Sequence, residues 1–168
     1  NPAPAAPVSP ELFRCATFFS PNEHEAAAMA GHPIRVDDAG ANEDDLRAVA
    51  DIFREKGVEN LIVTLGGNGS VAVNKDGVAR VQSVKMPVVA DTTAAGDSFV
   101  ASFSTLWRAG LPARQALAFA SHAAAITVSR PGAIPSLPTL AEVTALLRER
   151  GYEDMDYDLL AQLEEESK

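Results

Sequence analysis

Apolar residues along this chain follow two rhythms, short continuous runs and longer stretches spaced three to four residues apart. The run Leu12–Phe19 ends at Ser20-Pro21 and predicts a buried strand. Asn22 then predicts a helix start. Its side chain suits an N-cap, Glu23 and Glu25 suit the positive end of a helix, Ala26–Ala30 propagate it, and Gly31 stops it. A second helix is predicted from Asn42 to Lys56, with Leu46, Val49, Ala50 and Phe53 on one face and Gly57 closing it. Leu61-Ile62-Val63-Thr64 predicts a strand buried on both faces that leads into Gly66-Gly67-Asn68-Gly69. Val71–Val73 and Val78–Val81 alternate about Asn74-Lys75-Asp76-Gly77, which predicts a hairpin, and Val88-Val89 predicts a strand running up to Asp91. Helical spacing occupies 95–109, 112–128 and 139–149, separated by Gly110-Leu111-Pro112 and by the segment Pro131–Pro138. Strands interleaved with helices predict a layered α/β fold.

Composition adds limits to this picture. With 168 residues, 46% of them hydrophobic and 22% charged, the chain can bury one sizeable core. Seven acids against one lysine in 151–168 account for −6 of the formal charge of −9, leaving −3 for the first 150 residues. We therefore read 1–150 as the body and 151–168 as an acidic tail. Tyr152, Met155, Leu159, Leu160 and Leu163 recur there at helical spacing, so a docked amphipathic helix is expected rather than a disordered end. No basic stripe offers itself to nucleic acid, and no apolar run approaches the roughly 20 residues of a membrane span. The lone Cys15, between Leu12-Phe13 and Ala16 to Phe19, reads as a buried strand thiol, which favours a cytoplasmic home. His24, His32 and His122 show no metal-ligand spacing with it, so zinc is not expected. The opening Asn1-Pro2-Ala3-Pro4, without Met or leader, reads as a cut edge and raises the expectation of a fragment.

The candidate chemistry lies in Asp91-Thr92-Thr93-Ala94-Ala95-Gly96-Asp97, at the predicted passage from strand to helix. Small residues there let backbone N–H groups point outward from a helix N-terminus, which attracts anions. Preorganised donors of that kind stabilise a phosphoryl group in transfer, and Asp97 is placed to take a proton from an attacking hydroxyl. The same residues also suit a plain helix start with an acid favoured by the helix dipole. Thr64 to Gly69 could bring backbone close to a phosphate or ribose, or simply turn into the hairpin.

Asn1-Pro2-Ala3-Pro4-Ala5, Pro21-Asn22-Glu23-His24-Glu25, Thr64-Leu65-Gly66-Gly67-Asn68-Gly69, the Asp91–Asp97 run with Phe99, and Ser129-Arg130-Pro131-Gly132-Ala133 with Pro135-Ser136 stand in one order along 1–140. In that order and at those intervals the chain resembles the ribokinase-like (PfkB) carbohydrate kinases. The first motif and the double alanine before Gly96-Asp97 are most similar to the ribokinase branch. The resemblance implies a ribokinase-like α/β sheet with helices on both faces, of which this chain holds the C-terminal part without the N-terminal half or the lid.

Carried over position by position, the resemblance implies that Ala94, Ala95 and Gly96 form an anion hole and that Asp97 is both base and sugar contact. It implies nucleotide contacts at Asn22, Thr64, Leu65, Gly66, Gly67, Asn68, Gly69, Gly96 and Ser121, although relatives often carry Asn or His where Ser121 stands. Asn22 and Glu25 match an Asn-x-x-Glu pattern that handles Mg²⁺ indirectly; an N-cap with a first-turn acid would satisfy the same two residues. A monovalent cation, K⁺ in most relatives, is implied at Asp91, Thr93, Thr127, Arg130, Gly132 and Ser136, with Arg130 and Gly132 offering only carbonyl oxygens. The expected activity is ATP-dependent phosphorylation of a sugar, ribose first, by the intact protein, with a homodimer left open. A fructose, 2-keto-3-deoxygluconate or nucleoside kinase is the alternative, as is a nucleotide-binding module without catalysis.

Overall fold

Ser9 and Pro10 start a helix where a strand is expected. The computed structural model describes residues 1–37, 40–75 and 77–166, the side chain of Asp37 excepted. Helix α1, Pro10–Cys15, has Pro at its first position and Ser9 as its cap, with Ser9 Oγ accepting from Leu12 N at 3.4 Å. Phe13 turns inward, whereas Leu12 is 62% exposed and Cys15 is exposed, which corrects the expected buried thiol. An apolar run signals burial but supplies no ladder partner, so the strand shrinks to Phe19, whose N–H donates to Asn60 O and whose carbonyl accepts from Ile62 N.

The chain divides into two compact units, Asn1–Gln82 and Ser83–Lys168. In the first, α2 (Glu23–Ala30) ends at Gly31 with φ 67, and a short antiparallel pair, β1 (Val36–Asp37) and β2 (Gly40–Ala41), precedes α3 (Glu43–Glu55). The sequence reading does not foresee that pair. It is tied down by Arg35, whose Nε and Nη2 donate to the buried Asp45 carboxylate at 2.7 and 2.8 Å and hold its pKa down at about 2. Asn42 caps α3, and Leu46, Val49, Ala50 and Phe53 are buried as their spacing predicts. Phe53 packs its ring 5.2 Å from Phe19 and 6.0 Å from Phe13. Truncating it to Ala would cost about 3–5 kcal/mol. The sheet beside this cluster is antiparallel, β3 (Leu61–Thr64) to β4 (Ser70–Asn74) to β5 (Gly77–Val81), with Leu61 opposite Val73 and Asn74 opposite Gly77. The expected hairpin is therefore present, although Asp76 in its turn lies outside the described residues.

The second unit is helical. α4 (Ala95–Ala109) packs on α5 (Ala113–Val128), where Ala116, Leu117, Ala120 and Ala123 are fully buried and the small side chains let the helices approach closely. α6 (Leu140–Glu149) follows, opened by a capping box between Thr139 and Glu142. α7 (Tyr157–Glu166) packs on α6 through Leu160, which is 1% exposed, and the Arg148 guanidinium sits 3.9 Å from the Tyr157 ring centroid. The expected tail helix is thus docked, starting at Tyr157. The expected strand at Val88-Val89 is not there: both side chains are more than 60% exposed. No described strand runs beside it, and the amides of Ala90 and Asp91 donate instead to Val128 O at the end of α5.

Candidate active site

α4 begins without a side-chain cap. Ala94 stands at its N-cap with φ 62 and ψ 7, the one non-glycine residue at positive φ among those described. That backbone costs an L-residue roughly 1–2 kcal/mol, so the surroundings must hold it. Ala95 N donates to Thr92 O and Ser98 N to Ala94 O, leaving the amides of Gly96 and Asp97 without a partner among the described residues. A Cβ added at Gly96 would meet nothing within 4 Å, so the side-chain position at Gly96 is open. The Asp97 side chain lies exposed beside them. Two unpaired N–H donors at the positive end of a 15-residue helix, next to a carboxylate, can hold an anion and accept a proton at neighbouring points.

Asp91 holds the turn that precedes this helix. Its Oδ1 accepts from Thr93 Oγ1 at 2.6 Å and Thr93 N at 2.9 Å, and its Oδ2 accepts from Gly132 N at 3.1 Å. The Thr93 hydroxyl bond, then the two amide bonds, keeps the Asp91 carboxyl below its ordinary range. Asp91, Thr93 and Gly132 are therefore brought together, Gly132 through its amide rather than the carbonyl expected of it. Thr127 and Ser136 are both fully buried, but their hydroxyls are turned elsewhere, Thr127 Oγ1 to Ser98 Oγ (2.9 Å) and Ala123 O (3.0 Å), and Ser136 Oγ to Ala133 O (2.6 Å). The Arg130 guanidinium points to Glu142 at 2.5 Å. The side-chain oxygens brought together here are those of Asp91 and Thr93, hard donors of the kind a monovalent cation takes, already engaged with each other and with the Gly132 amide. Among the described residues, no group of three His, Cys, Asp or Glu is placed to hold a metal ion.

In the first unit, Asn22 and Glu25 close on each other. Asn22 Oδ1 accepts from Glu25 N at 2.8 Å, and Glu25 Oε2 accepts from Asn22 N at 2.9 Å. Their oxygens meet the needs of the helix start, leaving little to offer Mg²⁺ jointly. Thr64 N bonds Pro21 O, which sets Asn22 beside Thr64 and hence beside the glycine-rich turn. That turn folds on itself: Leu65 N reaches Gly69 O, Asn68 N reaches Leu65 O, and Leu65 is 1% exposed. Gly66, Gly67 and Asn68 form its exposed crest, with Gly66 at φ 52. The backbone of this crest and the exposed side chain of Asn68 could approach a nucleotide closely. Ser121 is buried on α5, and His122 is turned inward with its ring 5.9 Å from that of Tyr152. A groove of about 670 Å³ in this first unit, lined by Val8, Phe13, Met29 and Lys56 among others, includes none of these site residues.

Two residues of the second unit escape the sequence reading. Ser98 is 5% exposed and ties α4 to α5 through Thr127. Glu142 anchors Arg130, and burial plays little part in its state: the Arg130 bond and the Thr139 amide hold its carboxyl down at about 2. The spacing Thr139-x-x-Glu142 could have signalled a capping box. Nothing in the sequence signals its partner 12 residues earlier.

The model of the pfkB family of carbohydrate kinases matches residues 1–140. Ribokinase of Schizosaccharomyces pombe is 38% identical over 144 residues, which is 85% of this chain and 44% of that protein. Ribokinase of Haemophilus influenzae is 36% identical over 147 residues, covering 88% and 46%. Among solved structures, Arabidopsis thaliana ribokinase complexed with ribose and ATP superposes with a TM-score of 0.78 at 30% identity, over 85% of this chain and 44% of that one. Thermotoga maritima ribokinase gives 0.73 at 35% identity, over 88% and 47%. The chain thus spans less than half the length of these relatives, and its mixed helix-and-sheet structure is part of a ribokinase-like α/β fold. With a family model over 140 of its residues, this chain belongs to the pfkB family of carbohydrate kinases.

Proposed function

We propose that the protein to which this chain belongs transfers the γ-phosphoryl group of ATP to a sugar hydroxyl, with D-ribose giving ribose 5-phosphate as the first choice. The observation that carries this reading is the open start of α4, where the amides of Gly96 and Asp97 lack partners and the Asp97 carboxylate stands exposed beside them. In the reaction, Asp97 takes the proton of the sugar's primary hydroxyl as that oxygen attacks phosphorus in line and the bond to the ADP oxygen breaks. The amides of Gly96 and Asp97 hold the charge that gathers on the equatorial oxygens, and they are fixed before the reaction begins. Thr64 to Gly69 would bring backbone to the nucleotide. Mg²⁺, when bound with ATP, neutralises the donor phosphates. A monovalent cation held by Asp91, Thr93 and carbonyls of 130–133 would steady the loops behind the anion site. Such use of ATP suits a cytoplasmic enzyme.

Ribose is favoured because the relatives above are named ribokinases and one of their structures holds ribose with ATP. Since the chain spans under half of those relatives, it should not turn over alone, because positioning and exclusion of water supply much of the catalysis. The test is ADP release by the complete protein with Mg-ATP and ribose, fructose, 2-keto-3-deoxygluconate or adenosine. The highest kcat/KM is expected with ribose. Nucleotide binding with no acceptor-dependent ADP release would overturn the reading.

A further inference from the structure

We infer that Glu142 is a positioning residue for the reaction proposed above, acting through Arg130, Gly132 and Asp91 on the N-terminal end of α4. The inference rests on that functional reading for its consequence, but its physical links are all within the second unit.

Glu142 is the third residue of α6, and its carboxylate serves two partners. Oε2 accepts from Thr139 N at 2.8 Å, closing the capping box, and the Arg130 guanidinium approaches both oxygens, Nη2 to Oε1 at 2.5 Å and Nη1 to Oε2 at 3.4 Å. A half-exposed ion pair commonly stabilises little, because two long side chains must be ordered against water and salt. This one differs in two respects. The fork of the guanidinium meets both carboxylate oxygens, and the carboxylate is already fixed by the helix start it caps.

Arg130 leads through Pro131, whose ring limits the backbone, to Gly132 at φ 83. The Gly132 amide is the donor to Asp91 Oδ2 at 3.1 Å. Holding the Arg130 side chain against α6 therefore fixes the direction from which that amide arrives. The other Asp91 oxygen holds both Thr93 donors, and the turn so formed delivers Ala94 in its left-handed conformation with the next amides facing outward. A line of hydrogen bonds thus runs from the start of α6 to the start of α4.

The test compares three variants by amide hydrogen exchange in the complete protein. Glu142→Gln removes the charge with little change of shape, Arg130→Met removes the pair from its other end and leaves the capping box whole, and Thr139→Ala removes the cap hydroxyl while sparing the pair. Glu142→Gln and Arg130→Met are expected to speed exchange at Gly132 about tenfold, with the interior amides of α6 changing less than threefold, and Thr139→Ala to leave Gly132 unchanged. In the complete kinase Glu142→Gln should lower kcat severalfold with the sugar KM unmoved. Wild-type exchange at Gly132 in Glu142→Gln and Arg130→Met would overturn the inference, as would an equal rise in all three variants, which would mean a general loosening of α6. If Gly132 responds as expected but Asp97→Asn leaves turnover intact, the positioning link stands and the functional reading fails.

Discussion

Helices α2 and α4 face the same problem at their first turns and solve it in opposite ways. Every helix start leaves N–H groups that its own backbone cannot pair. In α2 the cap residue Asn22 has extended backbone, φ −80 and ψ 174, and its side chain and that of Glu25 satisfy each other's amides. In α4 the cap residue is Ala94 at φ 62, which has no side-chain oxygen, and the acid at the equivalent third position, Asp97, makes no such bond. The acid is thus a structural cap in one helix and an open carboxylate in the other, and what decides is the residue three places before it. Leaving α4 uncapped and strained sacrifices local stability. Under the function proposed above, a site that receives an anion requires that sacrifice, because donors already satisfied by a side chain cannot hold a phosphoryl group.

The contrast can be broken most severely at Asp97. Asp97→Asn in the complete kinase should reduce turnover roughly 10²–10⁴-fold with ATP and sugar binding nearly unchanged, as steady-state kinetics and calorimetry would show. Giving α4 the cap it lacks is the converse experiment. Ala94→Asp should bring a negative charge up to the free amides and lower turnover at least tenfold; an equally active variant would break the contrast. Removing the cap that α2 has should act on stability. Asn22→Ala is expected to cost about 1 kcal/mol and about 2–4 °C in thermal unfolding.

The smallest effect concerns Asp91. Its carboxyl lies below the ordinary range in the folded protein, chiefly through the Thr93 hydroxyl, so it contributes stability that is complete above its unfolded pKa and is lost as pH falls through the folded one. Thermal unfolding of the wild type and Asp91→Asn should therefore differ by a constant amount above about pH 5 and converge below about pH 4.

Much of the scaffold was legible. The helices at 95–109 and 139–149 are found where their apolar spacing and the stops at Gly110 and Pro138 put them, and the hairpin about 74–77 follows its turn. The two missed strands, 12–19 and 88–89, share one cause. A continuous apolar run states that a segment prefers burial and says nothing of which neighbour will pair with it. At Pro10 the local start signal won, and at Val88 no described strand pairs with the segment. Within the site, the Asn22–Glu25 cap could be read from spacing because its partners are three residues apart. The bonds from Asp91 to Gly132 and from Arg130 to Glu142 span 41 and 12 residues, and only the fold reveals them. The left-handed backbone of Ala94 was equally hidden, since alanine disfavours it.

The claim at the centre of this account is that the uncapped start of α4 receives the phosphoryl group. The direct measurement is the amide NMR spectrum of the complete kinase with ribose, Mg-ADP and a fluoride-based mimic of the transferring group. The account predicts that the resonances of Gly96 and Asp97 move downfield as their amides take up the mimic, by more than any in the interior of α4. Unmoved resonances at these two residues, in a sample that has bound the mimic and turns over ribose without it, would contradict the claim.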